Sequence, residues 1–174
     1  LDALGNEFSF DPPRETGMDT VESIRAMGVG SAKVFFALGG NFLSATPDVQ
    51  AVAEGLQKCS LTVQVSTKLN RSHLVTGKQA LILPCLGRSE KDHDQFVTVE
   101  NSMGIVHSSR GTLSPISDSV RSEPAIVSGL AKATLGDKGN IPWDIFAKDY
   151  SSIRSRIEKV VPGFDDFEKR VSEP

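Results

Sequence analysis

The 174-residue chain is short of several things, and each shortage closes off a class of protein. It has two cysteines, Cys59 and Cys85, so a disulfide scaffold is excluded. Neither has a second Cys or a His at metal-ligand spacing, which argues against a zinc or iron–sulfur site in this segment. Both suit small buried hydrophobes of a reducing compartment, the alternative being a catalytic thiol. No apolar run reaches the roughly 18–20 residues that a membrane helix needs, so no membrane insertion is expected. An excess of one charge is missing too. The 19 basic and 22 acidic residues leave a formal net charge of −3, which argues against a nucleic-acid partner or a charged membrane surface. The chain opens on Leu1 with no basic or apolar leader region. No secretory signal is therefore expected, the location is read as cytoplasmic, and a cut from a longer polypeptide is anticipated.

What is present suits one α/β domain over 1–174, a three-layer, open and mostly parallel sheet flanked by helices. Residues 1–18, with Pro12-Pro13, read as an irregular lead-in, 19–136 as the α/β core and 137–174 as a helical tail. Asp19 or Thr20 caps a short helix in which Val21 and Ile24 face inward and Gly28 and Gly30 make the stop. Lys33 to Leu38 is apolar on both faces, the pattern of a strand inside a parallel sheet. It breaks at Gly39-Gly40-Asn41. A helix start follows, with Thr46 as cap, Pro47 in the first turn and Asp48 at the positive end of the dipole. Val49, Val52, Ala53 and Leu56 make one apolar stripe. Leu61–Val65 and Ala80–Leu83 are the next strands.

Farther along, Phe96–Val99 and Gly104–His107 flank a turn and predict a small hairpin or an irregular loop. Pro124 opens a helix with Val127, Leu130, Ala131 and Thr134 aligned, and Gly136 stops it. Asp137–Asn140 reads as a turn. Phe146, Tyr150, Ile153, Ile157 and Val160 then follow at spacings of three and four, predicting one helix that ends at Pro162-Gly163.

Two places could hold a ligand. Gly39, Gly40 and Asn41 stand at the carboxyl end of a strand before a helix start, where glycine lets a backbone approach a phosphate and open N–H groups meet it. The same residues also suit a plain strand-to-helix turn. Gln64-Val65-Ser66-Thr67-Lys68 and Asn70-Arg71-Ser72-His73 end the neighbouring strand. Their hydroxyls, amides and cations suit a sugar, a base edge or a phosphate, or else simply cap the next helix. His73, His93 and His107 are far apart, with no Ser/His/Asp order. Lys91-Asp92-His93-Asp94 reads as a cation site or a solvated loop tip, and nothing brings Glu90 and Glu100 together.

The blocks Val34–Phe42, Val63–His73 and Ala80–Pro84, with the closing Val161–Phe167, resemble the molybdopterin oxidoreductase family. More narrowly, they are similar to formate-dehydrogenase-like alpha subunits. The resemblance covers roughly residues 1–170. It implies an α/β domain that holds the guanine-dinucleotide part of a bis(molybdopterin guanine dinucleotide) cofactor carrying molybdenum or tungsten. It further implies that Gly39, Gly40 and Asn41 lie beside the nucleotide portion, and that Gln64, Ser66 and Thr67 contact the guanosine, with Lys68 available to neutralise phosphate. Asn101 and Gly104 match the family's Asn-Thr-Glu-Gly segment, whereas Met103 replaces its acid. Neither cysteine matches the family's metal ligand, so no catalytic or metal residue is assigned. The implied partners are the remaining domains of the same polypeptide and an electron-transfer subunit. The alternative is a non-catalytic nucleotide-binding or protein-interaction module on the same scaffold.

Overall fold

The computed structural model describes residues 1–136, 138 and 141–173. In chain order its elements are α1 (Asp2–Phe8), α2 (Thr20–Gly28), β1 (Val34–Leu38), α3 (Phe42–Ala45), α4 (Val49–Lys58), β2 (Leu61–Ser66) and β3 (Gln79–Pro84). Then come β4 (Val97–Glu100), β5 (Val106–Ser109), α5 (Glu123–Leu135), α6 (Trp143–Lys148), α7 (Tyr150–Val160) and α8 (Phe167–Ser172). A 3₁₀ turn, Arg71–Leu74, sits between β2 and β3. The protein is mixed α/β. The chain gathers into two compact units, Thr16–Cys85 and Leu1–Glu15 with Leu86–Pro174. Among the described residues no helix is long and apolar enough to cross a membrane.

The first unit is a parallel sheet in the order β1-β2-β3 with helices packed on it. α2 starts on a capping box. The Asp19 carboxylate accepts from Glu22 N–H at 2.7 Å, and the Glu22 carboxylate accepts from Asp19 N–H at 3.2 Å. Ile24 and Met27 turn into the core, but Val21 stays exposed, contrary to the inward face expected for it. The cap of α4 is Asp48, not Thr46. Its carboxylate accepts from Ala51 N–H at 2.9 Å, while the Thr46 hydroxyl turns back to the Phe42 carbonyl. Val52 and Leu56 are fully buried, Ala53 packs beside them, and Val49 remains exposed. Gly55 lets α4 lie close to α2, because a Cβ there would stand 3.1 Å from Met27 Cβ. Met27, Leu43, Val52, Leu56 and Cys59 form the core, with Ile24, Phe35 and Phe42 against it.

The most apolar strand is not the interior one. β1 is an edge and exposes Val34, Phe36 and Leu38, whereas β2 lies between its neighbours with Thr62 through Ser66 all buried. An apolar run reports a preference for cover on both faces but says nothing about position within the sheet. β2 tolerates three buried polar side chains because each finds a partner: Thr62 with Gly77 N–H, Gln64 with Ser72, and Ser66 with His73. Both cysteines are buried, and burial pushes the Cys59 thiol above its ordinary pKa.

The second unit corrects the sequence reading in three places. The lead-in is not irregular throughout, because it holds α1, whose Glu7 pairs with Arg156 and Lys159 of α7. The single helix expected from Phe146 to Val160 is two. Asp149 breaks it and caps α7, accepting from the Ser151 hydroxyl at 2.6 Å and Ser151 N–H at 3.0 Å; the hydroxyl first, then the backbone bond, hold its carboxyl below the usual range. On α5 the expected stripe is not the buried face. Val127 and Leu130 are exposed and Ser128 is buried. Of the small hairpin and the irregular loop expected there, the structure has the hairpin, with β4 and β5 antiparallel. The turn read over 137–140 lies largely outside the described residues.

Candidate functional site

Beyond Leu38 the chain keeps one more sheet bond, Gly39 N–H to the Val65 carbonyl at 2.8 Å, and then turns. Gly39 and Gly40 have φ of 71° and 77°, in the left-handed region that an L side chain rarely adopts. A Cβ built on either would meet nothing within 4 Å, so glycine is required by the backbone path and the space outside the turn is open.

The loop after β2 clasps this turn. Asn70 Nδ2 donates to the Gly40 carbonyl at 2.8 Å, and Ser72 Oγ donates to Asn41 Oδ1 at 2.9 Å. Ser72 Oγ in turn accepts from Leu43 N–H at 2.9 Å. Behind it Gln64 Nε2 donates to the Ser72 carbonyl at 2.8 Å. His73 closes the set: its Nδ1 lies 3.0 Å from Asn70 N–H and its Nε2 3.1 Å from Ser66 Oγ. Parallel register makes this possible. Leu38 sits beside Val65, so the segments leaving β1 and β2 emerge together at the carboxyl ends of the strands.

Of the residues singled out in the sequence, Gly39, Gly40, Asn41, Gln64 and Ser66 come together in one network. Gln64 and Ser66 face inward, their polar groups given to Ser72 and His73. Thr67 and Lys68 are exposed just past the strand end. Asn101 belongs to the second unit and organises the hairpin turn. Its Oδ1 accepts from Met103 and Ile105 N–H at 2.9 and 3.1 Å, and its Nδ2 lies 3.0 Å from His107 Nε2.

Several roles are visible only in space. Asn70 and Ser72, read from the sequence as ligand contacts or caps, hold the glycine turn across some 30 residues of chain. Asp92 is no solvated loop tip, because it accepts the Tyr150 hydroxyl proton, while the Ser122 hydroxyl, 2.8 Å away, donates to the Tyr150 oxygen. Burial, and then Asp92, push the Tyr150 phenol far above its ordinary value. The Glu90 carboxylate is spent on Gly87 and Ile116 N–H.

The cofactor implied by the resemblance can be tested against these residues. Two adjacent glycines with open space outside them suit a diphosphate, whose oxygens require close backbone approach. The diphosphate portion therefore fits, whereas Gln64 and Ser66, expected to contact the guanosine, are buried and paired with Ser72 and His73. Among the described residues no three His, Cys, Asp or Glu side chains gather to hold a metal ion.

No family profile matches the chain. Along its whole length it is 53% identical to proteins named uncharacterized oxidoreductase in Mycobacterium tuberculosis and Mycobacterium bovis. It is 43% identical to protein YdeP of Escherichia coli. In each comparison the chain spans 23% of the relative's length.

Proposed function

We propose that the chain is a cofactor-binding part of an oxidoreductase, and that its glycine turn receives the guanine-dinucleotide end of a molybdopterin cofactor. One observation carries the reading. Two left-handed glycines at the end of β1 are clasped by the loop leaving the adjacent parallel strand, with open space outside. The resemblance to molybdopterin oxidoreductases supports the same reading, as do relatives named oxidoreductases. When bound, the cofactor supplies the two-electron chemistry. The chain supplies position: Gly39 and Gly40 leave room for the diphosphate, backbone N–H groups meet its oxygens, and Lys68 and Arg71 lie in the next loop to offset its charge.

Gly40→Asp, made within the whole oxidoreductase, tests this. The substitution forces a side chain onto a backbone at φ 77° and adds a negative charge where phosphate would sit. Purified variant is expected to contain little or no molybdenum, tungsten or pterin. Normal metal and pterin content overturns the proposal.

A further inference from the structure

β1 has the composition of a strand covered on every side, yet in the three-stranded sheet one of its edges is open. The Lys33 carbonyl accepts from Leu61 N–H, and Gly39 N–H donates to the Val65 carbonyl. The odd-numbered positions of this stretch therefore turn their backbone groups to β2, because the pleat alternates. Val34, Phe36 and Leu38 turn theirs the other way, where no strand lies among the described residues. The side chains of the same three residues share one sheet face and are 59%, 37% and 49% exposed. The opposite face is the one that carries Phe35 into the core against Met27, Val52 and Leu56.

Edges that stay free in native sheets are blunted by proline, charge or a bulge, because an unprotected apolar edge pairs with other chains. β3, the other edge of the sheet, is blunted. Gln79 and Cys85 N–H donate to the Ser60 and Ser66 carbonyls, so Pro84 places its missing N–H on the outer side, and Lys78 stands just before the strand. β1 has none of these devices. Val-Phe-Phe-Ala-Leu holds no charge and no proline, and its register with β2 runs unbroken. Parallel sheets are moreover covered on both faces, which the face of Val34, Phe36 and Leu38 is not. The chain spans only 23% of the length of its relatives, so most of such a protein lies elsewhere in the same polypeptide. We infer that the open edge of β1 is an intramolecular docking surface. In the whole protein it pairs with a β-strand from outside these 174 residues, and apolar side chains of that same part cover Val34, Phe36 and Leu38. A tethered strand acts at a high effective concentration, whereas a second copy of the chain competes only at its bulk concentration. The edge is the same whatever the glycine turn binds, so this pairing stands apart from the cofactor reading.

The experiment uses the whole protein with p-benzoylphenylalanine in place of Phe36, an aromatic for an aromatic, followed by ultraviolet cross-linking and mass spectrometry. Cross-links are expected within a single polypeptide, from this side chain to residues outside the 174-residue region. Hydrogen exchange on the unsubstituted whole protein, resolved to single amides, gives a second reading. Phe36 and Leu38 N–H are expected to exchange at least about 100-fold more slowly than in an unstructured chain, as amides bonded inside a sheet do. Cross-links found only between two polypeptides assign the edge to a second copy and overturn the inference. Cross-links confined to the 174-residue region overturn it too, as does their absence. Phe36 and Leu38 amides that exchange at the unstructured rate show a free edge and also overturn it. Should the protein with the replaced Phe36 fail to fold, the exchange measurement decides alone.

Discussion

The two units of this chain are stabilised by different chemistry. Residues 16–85 close over an aliphatic cluster, Met27, Leu43, Val52, Leu56 and Cys59, and reserve polar pairing for one end of the sheet. In the other unit the large buried apolar side chains among the described residues are aromatic: Phe146, Tyr150 and Phe167. Charged and hydroxyl groups pin them. Arg154, 5% exposed, forks onto Glu168, reaches the Phe96 carbonyl at 3.1 Å and stacks 4.0 Å over the Phe96 ring. Tyr150 is tied to Asp92 and Ser122. Area removed from water is non-directional and insensitive to pH, whereas ionic pins depend on geometry and protonation. The glycine turn is mounted on the first kind of unit.

The comparison breaks if the first unit tolerates a hole in its core. Leu56→Ala removes a fully buried side chain, and about 2–5 kcal/mol of stability should go with it, read by chemical denaturation. A loss under about 1 kcal/mol would mean that the aliphatic cluster is not what holds the sheet unit. Next in size is Arg154→Met, which keeps the stem but removes the guanidinium. Glu168 is 29% exposed at its side chain, so water repairs part of the loss, and about 2–3 kcal/mol is expected. The chain's one tryptophan, Trp143, lies in this unit, and its fluorescence reports the transition.

The smallest effect concerns acid. The Arg154 guanidinium holds the Glu168 carboxyl below its ordinary value of 4.5, helped by the Ser172 hydroxyl. A depressed folded pKa gives stability that is fully present above the unfolded value and lost as pH falls through the folded one. The Trp143 transition should therefore hold steady from neutrality down to about the ordinary carboxyl range, then weaken as the pH drops further. Arg154→Met should flatten this part of the acid response. An unchanged acid profile in that variant would show that the pair is not the pin.

Local signals were readable in the sequence because their causes lie within a few residues. The Asp19 cap, the segments flanking the hairpin turn and the punctuating glycines all act over one turn or less. Misreadings arose where two local signals competed. Pro47 draws attention to Thr46, yet Asp48 has the better carboxylate and takes the cap. The spacing from Phe146 to Val160 suits one helix, but Asp149 caps the second part so well that the helix restarts there. The candidate site was half visible. The glycine pair and the polar segment after the next strand stand out by composition, but nothing in their order says that one clasps the other.

The sequence alone therefore determined an α/β chain with no membrane-spanning helix, the positions of its strands and of α2, α4 and α5, and a glycine turn at a strand end. It also placed amides and hydroxyls at the end of the following strand. Tertiary structure alone decided that β2 and not β1 is the interior strand, and that Asn70 and Ser72 reach back to Gly40 and Asn41. It also decided that Gln64 and Ser66 serve this clasp from inside. The reason is one of range. Capping and backbone φ are set between neighbours, whereas partners some 30 residues apart meet only when parallel pairing brings β1 and β2 into register.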